Sequence, residues 1–457
     1  MDRVLKWFRE ISQIPHVSGD EKRLSDYLVK TAKSMGLKAE QDEAYNVIIR
    51  KGQGSPVILQ GHMDMVGEKE ADSPHDFAKD PLRLVEKDGM LYATGTTLGA
   101  DNGLAVAMGL ALLEVDDPAL PSLEVLITTG EELGLIGAHA LAPGKLKGKQ
   151  LINLDGETEG VFLTSCAGGQ TMAFTMQKEL KAMEVPCVEV RLADFRGGHS
   201  GVEIDKGRLN AAKELAKWLK DHNAHLTGYE APGKFNAISR QAVAWVTADS
   251  AGRLQEDLTE QLFRWQKAEP QAKLTIVEAA PRRPLSQAFS SKLLSFISLL
   301  PNGVNCWSKD LPGLVESSSN LGVIEDDMET ITLTSSLRSS APAKMAEIDE
   351  KMCQLAREAG AEVSVSGAYP GWAFEKESPL RDTAVRVWQA QFGKAPQVSA
   401  VHGGLECGVL KAKYPDVQML SFGPDLHEVH TPREHADLAS LGRIYGFLKE
   451  LLKALKQ

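Results

Sequence analysis

Three short apolar runs of this chain end in residues able to ligate a metal. Val57-Ile58-Leu59 leads into Gly61-His62-Met63-Asp64, Leu123 to Thr128 into Gly130-Glu131-Glu132, and Leu151-Ile152-Asn153-Leu154 into Asp155-Gly156. Runs of this length, rich in Val, Ile and Leu, predict buried strands. A fourth cluster, Gly99-Ala100-Asp101-Asn102-Gly103, opens an alanine-rich helical pattern, and His430 arrives far downstream. Strands alternating with helices imply a sheet with much parallel content, in which ligands collect beyond the carboxyl ends of the strands. Three strands would then aim their side chains at one rim. His62, His430, Asp64, Asp101, Glu131, Glu132 and Asp155 supply two imidazoles and five carboxylates, a mixture suited to a pair of divalent cations.

The expected fold class is therefore α/β, a mostly parallel central sheet flanked by helices. Ser18-x-x-Glu21 has the form of a capping box ahead of Leu24, Tyr27, Leu28, Thr31 and Met35 at helical spacing, with Gly36 as a stop. After Lys181 the pattern changes. Val185 to Leu192, Ala237 to Ala248, Lys273 to Glu278 and Thr330 to Ser336 read as strands, Gly207 to Asp221, Leu254 to Lys267 and Ala343 to Ala359 as helices, and together they suggest an inserted α+β domain. The chain divides as a catalytic domain over 1–183, an inserted lid over 184–374 and the rest of the catalytic domain over 375–457. Such an insertion lets Asp155 and His430 share one site.

The 457 residues hold 62 acidic and 51 basic side chains, for a net charge of −11. Without a basic patch that balance disfavours nucleic acid. No uncharged apolar run nears the roughly 18 residues of a membrane span, and the charged, amphipathic N-terminus lacks a signal-peptide pattern. Five scattered cysteines without a Cys-x-x-Cys pair argue against a disulfide framework and for a reducing cytoplasm.

Each motif has a bland reading and a chemical one. A histidine beside a buried strand is commonly a satisfied core residue, but the two-residue spacing of His62 and Asp64 lets the carboxylate orient the imidazole. Asp101 reads as a helix N-cap that could also bridge two cations. Adjacent glutamates usually mark a solvated helix face; after a buried strand and a glycine, one can bind metal while the other serves as general base. His427-Glu428-Val429-His430 lacks the spacing of a single-zinc His-Glu-x-x-His helix, and Gly198-His199-Ser200-Gly201 misses the nucleophile-elbow pattern by one place.

With Gly197-Gly198-His199-Ser200-Gly201, Asn236-Ala-Ile-Ser-Arg240, Ser-Ser-Leu-Arg338-Ser-Ser, Tyr369-Pro-Gly-Trp372 and His402-Gly-Gly-Leu-Glu406, the set resembles the two-zinc aminoacylase and carboxypeptidase superfamily, and within it the aminoacyl-histidine dipeptidases. Ser239 departs from the proline expected there. The resemblance implies that His62 and Asp155 ligate one zinc, Glu132 and His430 the other, and that Asp101 bridges; manganese or cobalt would also be tolerated. It implies that Asp64 orients His62, that Glu131 activates a metal-bridging water, and that His199 stabilises the oxyanion once the lid closes. Asn236 and Arg338 would hold the substrate carboxylate, a guanidinium matching it bidentately. The expected function is hydrolysis of dipeptides, Xaa-His and β-Ala-His included, by a cytoplasmic homodimer paired through the lid, with no nucleic-acid or membrane partner. The alternatives are an N-acyl amino acid amidohydrolase and a non-catalytic binding protein on the same fold.

Overall fold

A computed structural model describes residues 1–456. The chain forms two compact units, one of Met1–Cys166, Trp372–Ala400 and Leu405–Gln457, the other of Ala167–Gly371 and Val401–Gly404. The breaks thus fall after Cys166 and Gly371, where the sequence reading puts them after 183 and 374. The intervening strand Gly168–Gln177 explains the difference. It pairs with Thr330–Ser339 on one side and Glu362–Tyr369 on the other, inside the sheet of the second unit.

The first unit is built on an eight-stranded sheet in the order Lys38–Gln41, Val47–Lys51, Leu123–Thr128, Val57–His62, Gln150–Asn153, Gln418–Ser421, Val161–Cys166, Gln397–Val401. Its centre is parallel: Val57–His62 pairs in parallel with both Leu123–Thr128 and Gln150–Asn153, and Gln418–Ser421 in parallel with Gln150–Asn153. Val57–His62 and Leu123–Thr128 are buried along their whole length, which is why they read as continuous apolar runs rather than alternating ones. Three neighbouring strands therefore end at the same edge, just before Asp64, Glu131 and Asp155.

Against this sheet lies the helix Ala100–Leu113, buried everywhere except at Asp101. Small residues permit the approach. A Cβ on Gly109 would stand 2.9 Å from Val125 Cγ1, and one on Gly61 would stand 2.3 Å from Asn102 Oδ1 and 2.5 Å from the Ala105 Cβ. The close crossing lets Asn102 tie strand ends together, its Nδ2 donating to Leu154 O at 2.9 Å and its Oδ1 accepting from His62 N at 3.3 Å.

The second unit is antiparallel throughout its paired strands. One sheet runs Leu226–Glu230, Ala242–Thr247, Val185–Ala193, Lys273–Arg282, and a five-stranded one runs Gly303–Trp307, Val315–Asp326, Thr330–Ser339, Gly168–Gln177, Glu362–Tyr369. Alternate residues of the latter, Ile331, Leu333, Met172 and Phe174, enter a common core. The helix expected from Gly207 begins at Ala211 because Asn210 caps it, accepting from Lys213 N at 3.2 Å. The single strand expected over 237–248 is split, since Arg240 turns aside to bond Phe195 through its backbone oxygen and its Nε.

Gly61→Ala should lower stability by about 1–3 kcal/mol through overpacking, read as an earlier urea midpoint. Gly252→Ala is the control: it lies in the helix Ala248–Gln266 with nothing within 4 Å of an added Cβ, and should leave the midpoint unchanged or later.

Candidate metal centre

The parallel strand ends converge as expected. His62, buried at the end of its strand, places Nε2 3.2 Å from Asp101 Oδ1 and 3.5 Å from Asp155 Oδ1. His430 places Nε2 3.2 Å from Asp101 Oδ2 and 2.8 Å from Glu132 Oε1. The atoms fall into groups able to hold a cation: His62, Asp101 and Asp155; Asp101, Glu132 and His430; and His62 with Glu131 and Glu132. The first two share Asp101, one oxygen to each. Ligand atoms 2.0–2.2 Å from a zinc-sized ion stand roughly 3.4 Å apart at tetrahedral angles, so these spacings suit a common ion. Glu132 Oε1 is buried without a hydrogen-bond partner despite its nearness to His430, as a group turned toward a shared centre would be. The donor set of imidazole and carboxylate fits two divalent cations.

Asp101 does not cap its helix, contrary to its default reading. The residue before the helix is Gly99, and Asp101 itself has non-helical dihedrals, which turn its carboxylate to both imidazoles. Asp64 does more than orient His62. Its main-chain oxygen lies 3.0 Å and its Oδ1 3.4 Å from His62 Nδ1; its carboxylate also accepts from Glu131 N at 3.1 Å, Glu132 N at 3.3 Å and Ser18 Oγ at 2.8 Å. Ser18 and Glu21 form no capping box. Ser18 holds Asp64, and Glu21 Oε1 accepts from Gly130 N at 3.1 Å, so a sequence signal for a helix start belongs in fact to the loop bearing Glu131. The helix itself is present over Lys22–Ser34.

Electrostatics record the crowding. Burial pushes the Glu131 carboxyl well above its usual range; nearby His62 opposes this, while Asp155, Glu406 and Glu132 add to it. Burial disfavours charge on His62, yet Asp101, Asp155 and Asp64 outweigh it and raise its pKa. Asp101 and Glu132 raise that of His430 to about 11. Beneath the site Glu406 is fully buried, held by Gln60 Nε2 and Thr128 Oγ1 at 2.5 and 2.6 Å, and burial raises its pKa to about 7. His427 and His435, which flank His430 in sequence, pair with each other across a short ribbon instead.

Within the second unit, His199 sits on a two-strand ribbon, paired with Ala237. Its Nδ1 accepts from Gly201 N at 3.2 Å and Val202 N at 3.3 Å, which leaves the proton of the neutral ring on Nε2. Burial and Arg338 both lower its pKa. Asn236 is fixed from either side, since Asn320 Nδ2 donates to Phe235 O and Ala237 O and Ser200 N to Asn236 O. Arg338 Nη1 donates to Tyr369 Oη at 3.2 Å, while its Nε is buried without a hydrogen-bond partner. His402, quoted in the sequence only as part of a motif, bonds Ser318 Oγ at 2.7 Å, and burial with the nearby Arg338 lowers its pKa to about 4.

Residues 58–454 match the model of Peptidase family M20/M25/M40. The chain belongs to that family. This M20 chain is 35% identical to the cytosol non-specific dipeptidase of Escherichia coli over 469 aligned residues, 98% of this chain and 96% of the relative. Its fold matches the aminoacylhistidine dipeptidase of Vibrio alginolyticus with a TM-score of 0.93 at 32% identity, covering 100% and 97% of the two chains. It also matches aminopeptidase PepT of Bacillus cereus with a TM-score of 0.62 at 18% identity, over 99% and 98%, a likeness of fold. The expected α/β architecture and the expected enzyme class, a peptide hydrolase, stand with this membership.

For the M20 chain without metal, the sign of the histidine shifts sets a pH dependence. An imidazole whose folded pKa is raised stabilises the fold fully below its unfolded value of about 6.5 and loses that contribution as pH rises through the folded value, about 11 for His430. His430 thus holds a proton near neutral pH, His62 is shifted in the same direction, and a cation bound there displaces protons. Calorimetric titration of metal-free protein with zinc, in buffers of different ionisation enthalpy, should show net proton release; none would contradict these ligands.

Proposed function

We propose that this chain is a cytoplasmic dinuclear metallo-dipeptidase, with Xaa-His and β-Ala-His among its substrates. One observation carries the reading most: two ligand groups share Asp101 beside the half-buried Glu131, in a chain similar over nearly its whole length to a dipeptidase. His62 and Asp155 would hold one cation, Glu132 and His430 the other, and Asp101 both. Zinc fits these ligands, and manganese or cobalt would be accepted by the same donors. When bound, the cations supply the positive charge that polarises the scissile carbonyl and lowers the pKa of water toward about 7.

The chain's own groups do the rest. Glu131, set beside both ligand groups, takes the proton of the attacking water and returns it to the leaving amine nitrogen. Asp64 keeps the backbone of Glu131 and Glu132 in place. His199, neutral with its proton on Nε2, donates to the developing oxyanion. Arg338 and Asn236 take the substrate's carboxylate, for which the unpartnered Nε of Arg338 offers half of a bidentate fork. A site that recognises a free amine at one end and a free carboxylate at the other would accept two-residue substrates and reject long chains.

The cytoplasmic assignment draws on five free cysteines and on a relative named for the cytosol; among the described residues no helix is long and apolar enough to cross a membrane. Homodimerisation through the second unit belongs to the same proposal. The competing reading, an amidohydrolase of N-acyl amino acids, differs in the substrate's amino end.

Glu131→Gln should keep two bound cations by elemental analysis while kcat falls about 10²–10⁴-fold. Wild-type turnover in that variant would favour a non-catalytic role for the site. Arg338→Ala should raise KM for dipeptides more than it lowers kcat. In a substrate panel on zinc-reconstituted protein, faster hydrolysis of N-acetyl amino acids than of any dipeptide would replace the dipeptidase reading with the amidohydrolase one.

A further inference from the structure

Glu434 is 3% exposed, and no lysine or arginine side chain is paired with it among the described residues. Its carboxylate is satisfied by backbone alone. Oε2 accepts from Leu98 N at 2.9 Å and Gly99 N at 3.1 Å, and Oε1 from Ala100 N at 2.8 Å and Asp101 N at 3.3 Å. Four consecutive amides thus converge on one buried anion. They belong to the turn that carries Asp101, and the anion belongs to the turn that carries His430.

That second turn is itself stiff. Thr431 Oγ1 donates to Glu428 O at 2.7 Å, Arg433 pairs with Glu428 at 2.5 Å, and Glu434 N donates to Thr431 O at 3.0 Å. His430 stands in it at φ 62°, a left-handed backbone that few side chains adopt. A rigid turn joined to the Asp101 turn by four charge-assisted hydrogen bonds fixes the separation between His430 and Asp101. Burying a carboxylate close to another carboxylate is unfavourable by itself. Four amides offset that burial here, where an apolar side chain could have filled the space.

We infer that Glu434 is a positioning residue that sets the register between the His430 turn and the Asp101 turn, and so fixes the two ligand groups that share Asp101. The inference rests on the two-cation reading above. Removing partners that orient metal ligands typically costs 10–100-fold in metal affinity. Because Asp101 belongs to both groups, both cations should be affected.

The test uses Glu434→Gln in the full chain, whose side-chain NH₂ would face amide donors instead of accepting them. Glu124→Gln is the control. Glu124 is likewise a fully buried carboxylate in the same unit; it accepts two backbone amides, Lys147 N and Gly148 N, together with Arg50 Nε, near the start of its strand, at the end away from Glu131. Zinc binding by calorimetry, cobalt absorption spectra and the melting temperature of the metal-free protein are measured for all three. The expected result is a 10–100-fold weakening of both cations and an altered cobalt spectrum in Glu434→Gln, with wild-type affinity and spectrum in Glu124→Gln at a comparable drop in melting temperature. Equal metal affinity in wild type and Glu434→Gln, or equal losses in both variants, would overturn the inference and leave the two-cation reading intact. Failure of the wild type to bind two cations would instead overturn the functional reading. Should Glu434→Gln not fold, amide hydrogen exchange on metal-free wild type decides: Leu98 to Asp101 should be protected, and exchange at open-loop rates would refute the clamp.

Discussion

Carboxylates gathered at one end of a sheet repel, and the first unit is organised around holding them together regardless. Parallel pairing of three central strands brings Asp64, Glu131 and Asp155 to the same edge, and a helix buried on nearly every side brings Asp101. Once these groups are close and dehydrated, only positive charge can relieve them. The imidazoles of His62 and His430 are shifted toward their charged forms there, and Glu131 toward its neutral form. The same repulsion favours a cation at this edge.

Backbone amides, more than side-chain pairs, keep the ligands in place. Asp64 takes the amides of Glu131 and Glu132, Glu21 that of Gly130, and Glu434 those of residues 98–101. Hydrogen bonds to charged acceptors contribute roughly 1.5–3 kcal/mol each, and an amide cannot change rotamer. Loops pinned this way hold side chains with the rigidity of regular structure, which catalytic geometry requires.

The second unit has the opposite electrostatic character. Around Arg338 stand two histidines, His199 and His402, both shifted down toward the neutral form. Neighbouring imidazoles shifted toward the uncharged form avoid repelling the guanidinium. Backbone donors to Nδ1 also choose the tautomer of His199.

Periodicity alone made most of the architecture legible, since buried parallel strands write themselves as unbroken Val, Ile and Leu runs and the amphipathic helices as stripes. The candidate ligands were legible for a related reason: polar residues directly after such runs have few places to go but the sheet's edge. Hydrogen bonding across long sequence separations was not legible. Ser18 and Glu21 satisfied a local capping pattern yet serve Asp64 and Gly130, and Glu434 looks like any surface acid in a polar stretch. Gly168–Gln177 gives no apolar run because seven of its ten residues are small or polar, and its membership in the second unit depends on partners more than 150 residues away. By itself the sequence determined which strands end in candidate ligands, which residues could bind metal and the family they resemble, because covalent spacing and side-chain type carry that information. Only the tertiary structure decided which carboxylate meets which imidazole and which buried acids hold the loops, because those choices are made by packing and by the desolvation of charges that no local pattern records.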